Sequence, residues 1–164
     1  MSLPDWLPPL VRLDDYGGDW ERYEEALYEA FRADFTNSQC YLGSQRVAYR
    51  KRPPVRGRAN TFWHLISTGL PGKARTRDRS RCERIRWPRA LIDAYPGPNV
   101  KAWRVQRGGD TNLAIAPGDF SYVVILQQRR GYVLLVTAYP VEWERRRRQM
   151  ERQWDKSNRG HTKS

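Results

Sequence analysis

Histidine is scarce in this chain of 164 residues: His64, in "TFWHLISTG", and His161, near the C-terminus, are the only two. Imidazole is the one side chain whose unperturbed charge changes near neutral pH. An acid–base pair of two histidines would therefore have to recruit the last few residues. Cysteine is equally sparse. Cys40 and Cys82 lack paired spacing, which excludes a disulfide framework and a four-ligand zinc site and reads as free thiols of a reducing cytoplasm. No apolar run approaches the roughly 18 residues of a membrane span. "MSLPDWLPPL" has neither a basic n-region nor a long apolar core, so no signal peptide and no membrane partner are expected. Carboxylate clusters able to hold catalytic Mg²⁺ are missing from the basic part of the chain, so no metal and no other cofactor is expected. "GLPGK" falls short of a phosphate loop, because Ser67 and Ala74 stand where Gly and Ser or Thr are required. Cys82, mid-helix among arginines, reads as a half-buried helical thiol rather than a nucleophile.

Positive charge is what the chain has in abundance. Its net charge is +12, and 25 of its 30 basic residues are Arg. The charge is segregated. Residues 1–35 hold nine acids and three bases, a net of −6, so residues 36–164 carry +18 by difference. That imbalance fits a nucleic-acid partner, RNA before DNA, because guanidinium grips phosphate in a bidentate way and stacks on bases. An acidic protein partner or inhibitor is the other reading. The 20 aromatics (7 Trp, 9 Tyr, 4 Phe) exclude a disordered chain.

Periodicity predicts one domain over 1–157. Asp19 caps an acidic helix within 19–34, with Trp20, Tyr23, Leu27, Ala30 and Phe31 on one face and its glutamates elsewhere. That acidic surface is either solvated or a cover for the basic body. The core spans 45–140. It opens with a short strand at 45–51 and a short helix carrying "TFWHLIS", capped by Asn60 or Thr61. A polar flexible loop follows, then a helix over 79–94 that Pro88 kinks or splits. Four segments, 100–106, 111–116, 120–128 and 132–139, are rich in β-branched and aromatic residues. "RGGD", "PGD" and "RRG" separate them, as hairpin turns would. The expected fold is α+β, with helices packed on one face of a four-stranded antiparallel sheet whose last two strands are central. A basic helix over 142–156 and a disordered tail at 158–164 complete it.

The stripe Arg77, Arg81, Arg84 and Arg89, with Arg86 and Trp87 beside it, combines phosphate-binding cations with a stacking ring. A solvated charged helix with Trp87 in the core is the bland alternative. Arg145 and Arg146 in "ERRRRQMERQ" read as part of a second phosphate-binding arm. His64 stands at the boundary between core and solvent. Its position fits a structural hydrogen-bonding role as well as a catalytic one.

The order helix, helix, four antiparallel strands, together with "LLVTAYP" at 134–140, resembles the barnase–EndoU–colicin–RelE superfamily of metal-independent ribonuclease toxins. The resemblance covers about residues 60–140. It implies that Thr137 and Tyr139 line an active site, that His64 is the general acid or base, and that Arg104, or a neighbour such as Arg107, stabilises the phosphorane. The acidic N-terminal helix departs from those compact toxins. The expectation is thus an RNA-binding protein with metal-independent endoribonuclease activity, toxin-like or phage-defence related. A non-catalytic RNA- or ribosome-binding module and a protein-interaction domain are the alternatives.

Overall fold

The computed structural model describes residues 5–69 and 72–162; of residues 107 and 159–162 only the backbone is described. Asp19 starts the first helix, its carboxylate accepting from the backbone N–H groups of Glu21 and Arg22. Helix α1 (Trp20–Phe31) follows and runs on into a π-turn over Arg32–Thr36. Tyr23, Leu27 and Phe31 are buried as the periodicity requires, but so is Glu24, at 8% exposure. Next come β1 (Tyr41–Leu42), β2 (Gln45–Tyr49), α2 (Asn60–Ile66), β3 (Ser67–Thr68), β4 (Thr76–Arg77), α3 (Arg79–Glu83) and α4 (Trp87–Asp93). The last third is β5 (Val100–Arg107), β6 (Asp110–Pro117), β7 (Tyr122–Arg129), β8 (Tyr132–Pro140) and α5 (Glu144–Thr162).

The four expected strands form the expected antiparallel meander, but they are not the whole sheet. The sheet has six strands in the order β1-β2-β8-β7-β6-β5 and is mixed and curled. The expectation of a four-stranded antiparallel sheet is therefore corrected. β2 adds to the outer edge of β8 in parallel, with Arg46 opposite Tyr132 and Tyr49 opposite Leu135, and β1 pairs antiparallel outside it. A five-residue strand cannot satisfy its backbone groups alone, and the partner it finds lies far along the chain. β8 and β7 are the central pair, as their apolar content suggested.

Helices cover both faces, not one. Strand alternation sends Ile115, Val124, Leu126 and Leu135 into a large core with α1, α2, α3 and α4. The opposite face presents Trp103, Ala114, Ala116 and Val123, which pack with Phe120, Val141, Met150 and Trp154. Met150 and Trp154 are one turn apart on α5, so the basic helix has an apolar underside. The indole Nε1 of Trp103 donates to Gln153 Oε1 at 3.2 Å and ties the two layers together.

Of the two outcomes expected at Pro88, the split is the one found: the 79–94 segment is two helices, because Pro88 sits in the first turn of a new one, where its missing N–H costs nothing. Two other local expectations are revised. The loop after α2 contains a second, two-stranded sheet, β3 with β4. The tail expected to be disordered is helical through Thr162; residues 163–164 lie outside the described residues. Among the described residues no helix is long and apolar enough to cross a membrane.

Candidate functional site

Strand β2 and helix α2 meet at a reciprocal clamp. The Arg50 N–H donates to Thr61 Oγ1 at 2.8 Å, and the Thr61 N–H donates to the Arg50 carbonyl at 3.0 Å. Thr61 therefore does not cap α2. Ala59 precedes the helix and offers no side-chain cap. The clamp fixes the rotation of α2. Phe62, Leu65 and Ile66 are buried, and His64 is left half-buried on the other side.

The charges of three guanidinium groups, Arg75, Arg81 and Arg50, act on His64. Arg75 is held by Ser67, its Nε donating to Ser67 Oγ at 2.9 Å and its Nη2 to the Ser67 carbonyl at 2.6 Å. A Cβ on Gly69 would stand 3.0 Å from Arg75 Cγ and 3.2 Å from its Cα, so any larger residue there would press on Arg75. Arg81 Nη1 donates to the His64 carbonyl at 3.0 Å, and its guanidinium lies 5.4 Å from the centre of the Tyr139 ring. Arg50 arrives from the end of β2. Pairing of β2 with β8 stops at Leu135, and it is past that point that the Tyr139 ring reaches Arg81.

The electrostatics follow from this geometry. Burial pushes the His64 pKa below its ordinary value of 6.5, and the positive charges of Arg75, Arg81 and Arg50 push it the same way. The imidazole is thus neutral at neutral pH, with one ring nitrogen free to accept a proton. The unfolded chain takes up this proton near pH 6.5, and the folded chain takes it up only at lower pH. Stability therefore falls as pH drops from about 6.5 toward the folded pKa. Urea midpoints measured across this window should decline in the wild type, and His64→Gln should flatten that decline.

The expected nucleic-acid stripe fares differently. Trp87 is 1% exposed, packs edge-on against Tyr122 at 5.3 Å and donates its Nε1–H to the Pro8 carbonyl. It is a core residue and is not available to stack on a base. Arg84 lies over the Trp87 ring and donates to Ser80, while Arg86 faces Asp34 at 3.8 Å. Arg89 is consumed by Asp93, Ser38 and the carbonyls of Asp34 and Gln39. Arg77 pairs with Glu24 and lies over Trp20 at 4.6 Å. The break after α3 destroys the shared helical face, and only Arg81 of the stripe reaches His64.

Glu24 gathers Arg56, Arg58 and Arg77 around one buried carboxylate, and the rings of Trp63, Tyr28 and Trp20 cover the same three guanidiniums. The acidic helix therefore pairs with three arginines of the body through one carboxylate, which offsets one of their three charges. Its effect is exerted by an inward glutamate and not by its solvated face.

Arg104 lies on β5, three strands from β8, and lines a separate cavity with Gln45, Tyr95 and Asn112. It is not brought to His64. The side chains of Arg107 and His161 lie outside the described residues. Thr137 shares a strand face with Tyr139, but among the described residues no hydrogen bond links it to His64. Arg145 is exposed on α5, and Arg146 bonds Gln149 along the same helix. Cys82 is fully buried, with its thiol pushed up to about 12 by burial, so it is not a nucleophile. No group of three or more His, Cys, Asp or Glu able to hold a metal occurs among the described residues. Arg50 and Arg75 were absent from the sequence-derived site, since nothing local marks them as neighbours of His64.

Comparison with protein-family models, curated proteins and solved structures finds no match to this chain. The functional reading rests on the site itself.

Proposed function

We propose that the protein binds single-stranded RNA at the His64 site and cleaves it there without a metal ion. One observation carries the reading: a neutral imidazole lies under the charges of three guanidiniums, one of which, Arg81, also lies over the Tyr139 ring. Arg50, Arg75 and Arg81 suit the phosphodiester. His64 accepts the proton of the 2′-hydroxyl as that oxygen attacks phosphorus. The bond from phosphorus to the 5′-oxygen breaks, and Tyr139 supplies the proton to the leaving oxygen. Water then relays the proton from the His64 imidazolium back to Tyr139, restoring both groups. The cations that disfavour imidazolium before substrate binds are offset by the dianionic phosphorane, so His64 becomes a better base as charge develops.

A second reading, a non-catalytic RNA-binding module, is favoured by the same three cations, which hold an anion whatever chemistry follows. Labelled single-stranded RNA with purified protein in EDTA separates the two. Metal-independent cleavage to 2′,3′-cyclic phosphate ends supports the enzyme. Salt-sensitive binding without cleavage leaves the module. Arg81→Ala should weaken RNA affinity roughly tenfold in either case, as loss of one charged phosphate contact does. Unchanged affinity in this variant would remove Arg81 from the site.

A further inference from the structure

A basic groove leads away from His64 along the outside of the sheet. Helix α5 packs on Trp103, Ala114, Ala116 and Val123 and reaches Tyr139 near the end of β8. Near the start of β8, β2, β8 and the turn at Phe35 and Thr36 bound a cavity of about 730 Å³ to which Arg46, Arg50, Lys51 and Arg129 contribute four cations. No carboxylate lines it among the described residues. Arg50 belongs both to this groove and to the charges acting on His64.

Strand register gives the groove an internal order. Arg46 of β2 stands opposite Tyr132 of β8, and Tyr132 stands opposite Arg129 of β7. Tyr132 is therefore flanked on both sides by guanidiniums in one cross-strand row, and its ring is 39% exposed. The next row is Ala48 and Leu134, a small apolar floor; beyond it comes Arg50. Alternation puts Arg46, Ala48 and Arg50 on one face of the strand. The distance from Arg46 to Arg50 is about 13 Å at about 3.3 Å per residue, equal to some three or four stacked nucleotides at about 3.4 Å each.

Resting on the proposed RNA-binding reading, we infer that this groove is an extended subsite for the nucleotides beside the phosphodiester at His64. Tyr132 stacks on a base, Arg46 and Arg129 hold the phosphates on either side of it, and Arg50 passes the strand to the His64 site. Charge complementarity selects a polyanion. An exposed ring between cations selects a single strand, whose bases are free to stack, over a duplex.

The test compares oligoribonucleotides of about three and about ten nucleotides, a range spanning the usual footprint of single-strand sites. Fluorescence anisotropy is read for wild type, Arg46→Ala/Arg129→Ala, Tyr132→Ala and Tyr132→Phe. The wild type should prefer the longer strand. The double variant should lose that preference, binding the long strand at least roughly tenfold more weakly, with the salt slope falling by about 1.4 for two lost contacts. Tyr132→Ala should weaken long-strand binding by roughly tenfold and Tyr132→Phe should restore it, since only the ring is needed. All variants should bind the short strand like wild type. Long-strand affinity that is indifferent to these substitutions, or a preference for duplex, overturns the groove and leaves the His64 reading intact. A wild type that binds neither strand overturns both.

Discussion

His64→Ala should cut metal-independent RNA cleavage by at least roughly a hundredfold, the usual contribution of a positioned general base. RNA affinity should stay within a factor of about two, because Arg50, Arg75 and Arg81 make the phosphate contacts. The split between rate and affinity is what separates a catalytic imidazole from a structural one. A structural His64 would move stability and affinity together. The pH profile adds a second reading. Burial and three cations hold the His64 pKa below 6.5, so the acid limb of kcat/KM in the wild type should lie below that pH. An acid limb above 6.5, or equal rates in the two proteins, would assign the base elsewhere.

Glu24→Ala should lower the free energy of unfolding by about 3 kcal/mol, the low end for removing one partner from a buried ion pair. The low end applies because the three arginines keep part of their hydration. Among the described residues Glu24 is the one carboxylate that pairs with all of them, with Arg56 at 3.2 Å and Arg77 at 3.6 Å. Without it, three guanidiniums and the core edge of α1 are left in mutual repulsion. Chemical denaturation measures the loss, and high salt should shrink it by screening that repulsion. Arg56→Ala should cost less than about 1 kcal/mol, since that side chain is more than half exposed. Equal losses in the two variants would mean that the cluster is held by packing of the rings and not by the central carboxylate.

Much of the fold was legible before the structure. The four strands of the meander lie within a residue or two of where alternation placed them, because each is long enough to show period two and the first three run into a glycine-containing turn. Gly108 and Gly131 both adopt positive φ at those turns. Asp19 caps α1 as its side-chain chemistry requires. Pro88 divides its segment because a proline is tolerated only in a first turn. What failed depended on contacts remote in the chain. Tyr132 follows Arg46 by 86 residues, and nothing in either segment announces their pairing. The apolar underside of α5 rests on Met150 and Trp154, two residues hidden in a run of arginines. Local sequence leaves Trp87 open between core and surface; its burial is set by Tyr122 and the Pro8 carbonyl, both distant in sequence.

The candidate site divides along the same line. His64 and Arg81 could be named from residue type and spacing, and Tyr139 from the family resemblance, whereas Arg50 and Arg75 bring their charges to bear on the imidazole only when α2 is clamped to β2 and Ser67 holds Arg75. By itself the sequence determined a strongly basic body behind an acidic first helix, because charge adds along a chain whatever its shape. It also determined the local elements, because propensity and periodicity act over a few residues. The tertiary structure alone decided which arginines are spent on Glu24, Asp34 and Asp93 and which remain for a ligand. A guanidinium's availability depends on the carboxylates and rings that folding brings to it, and those come from every part of the chain.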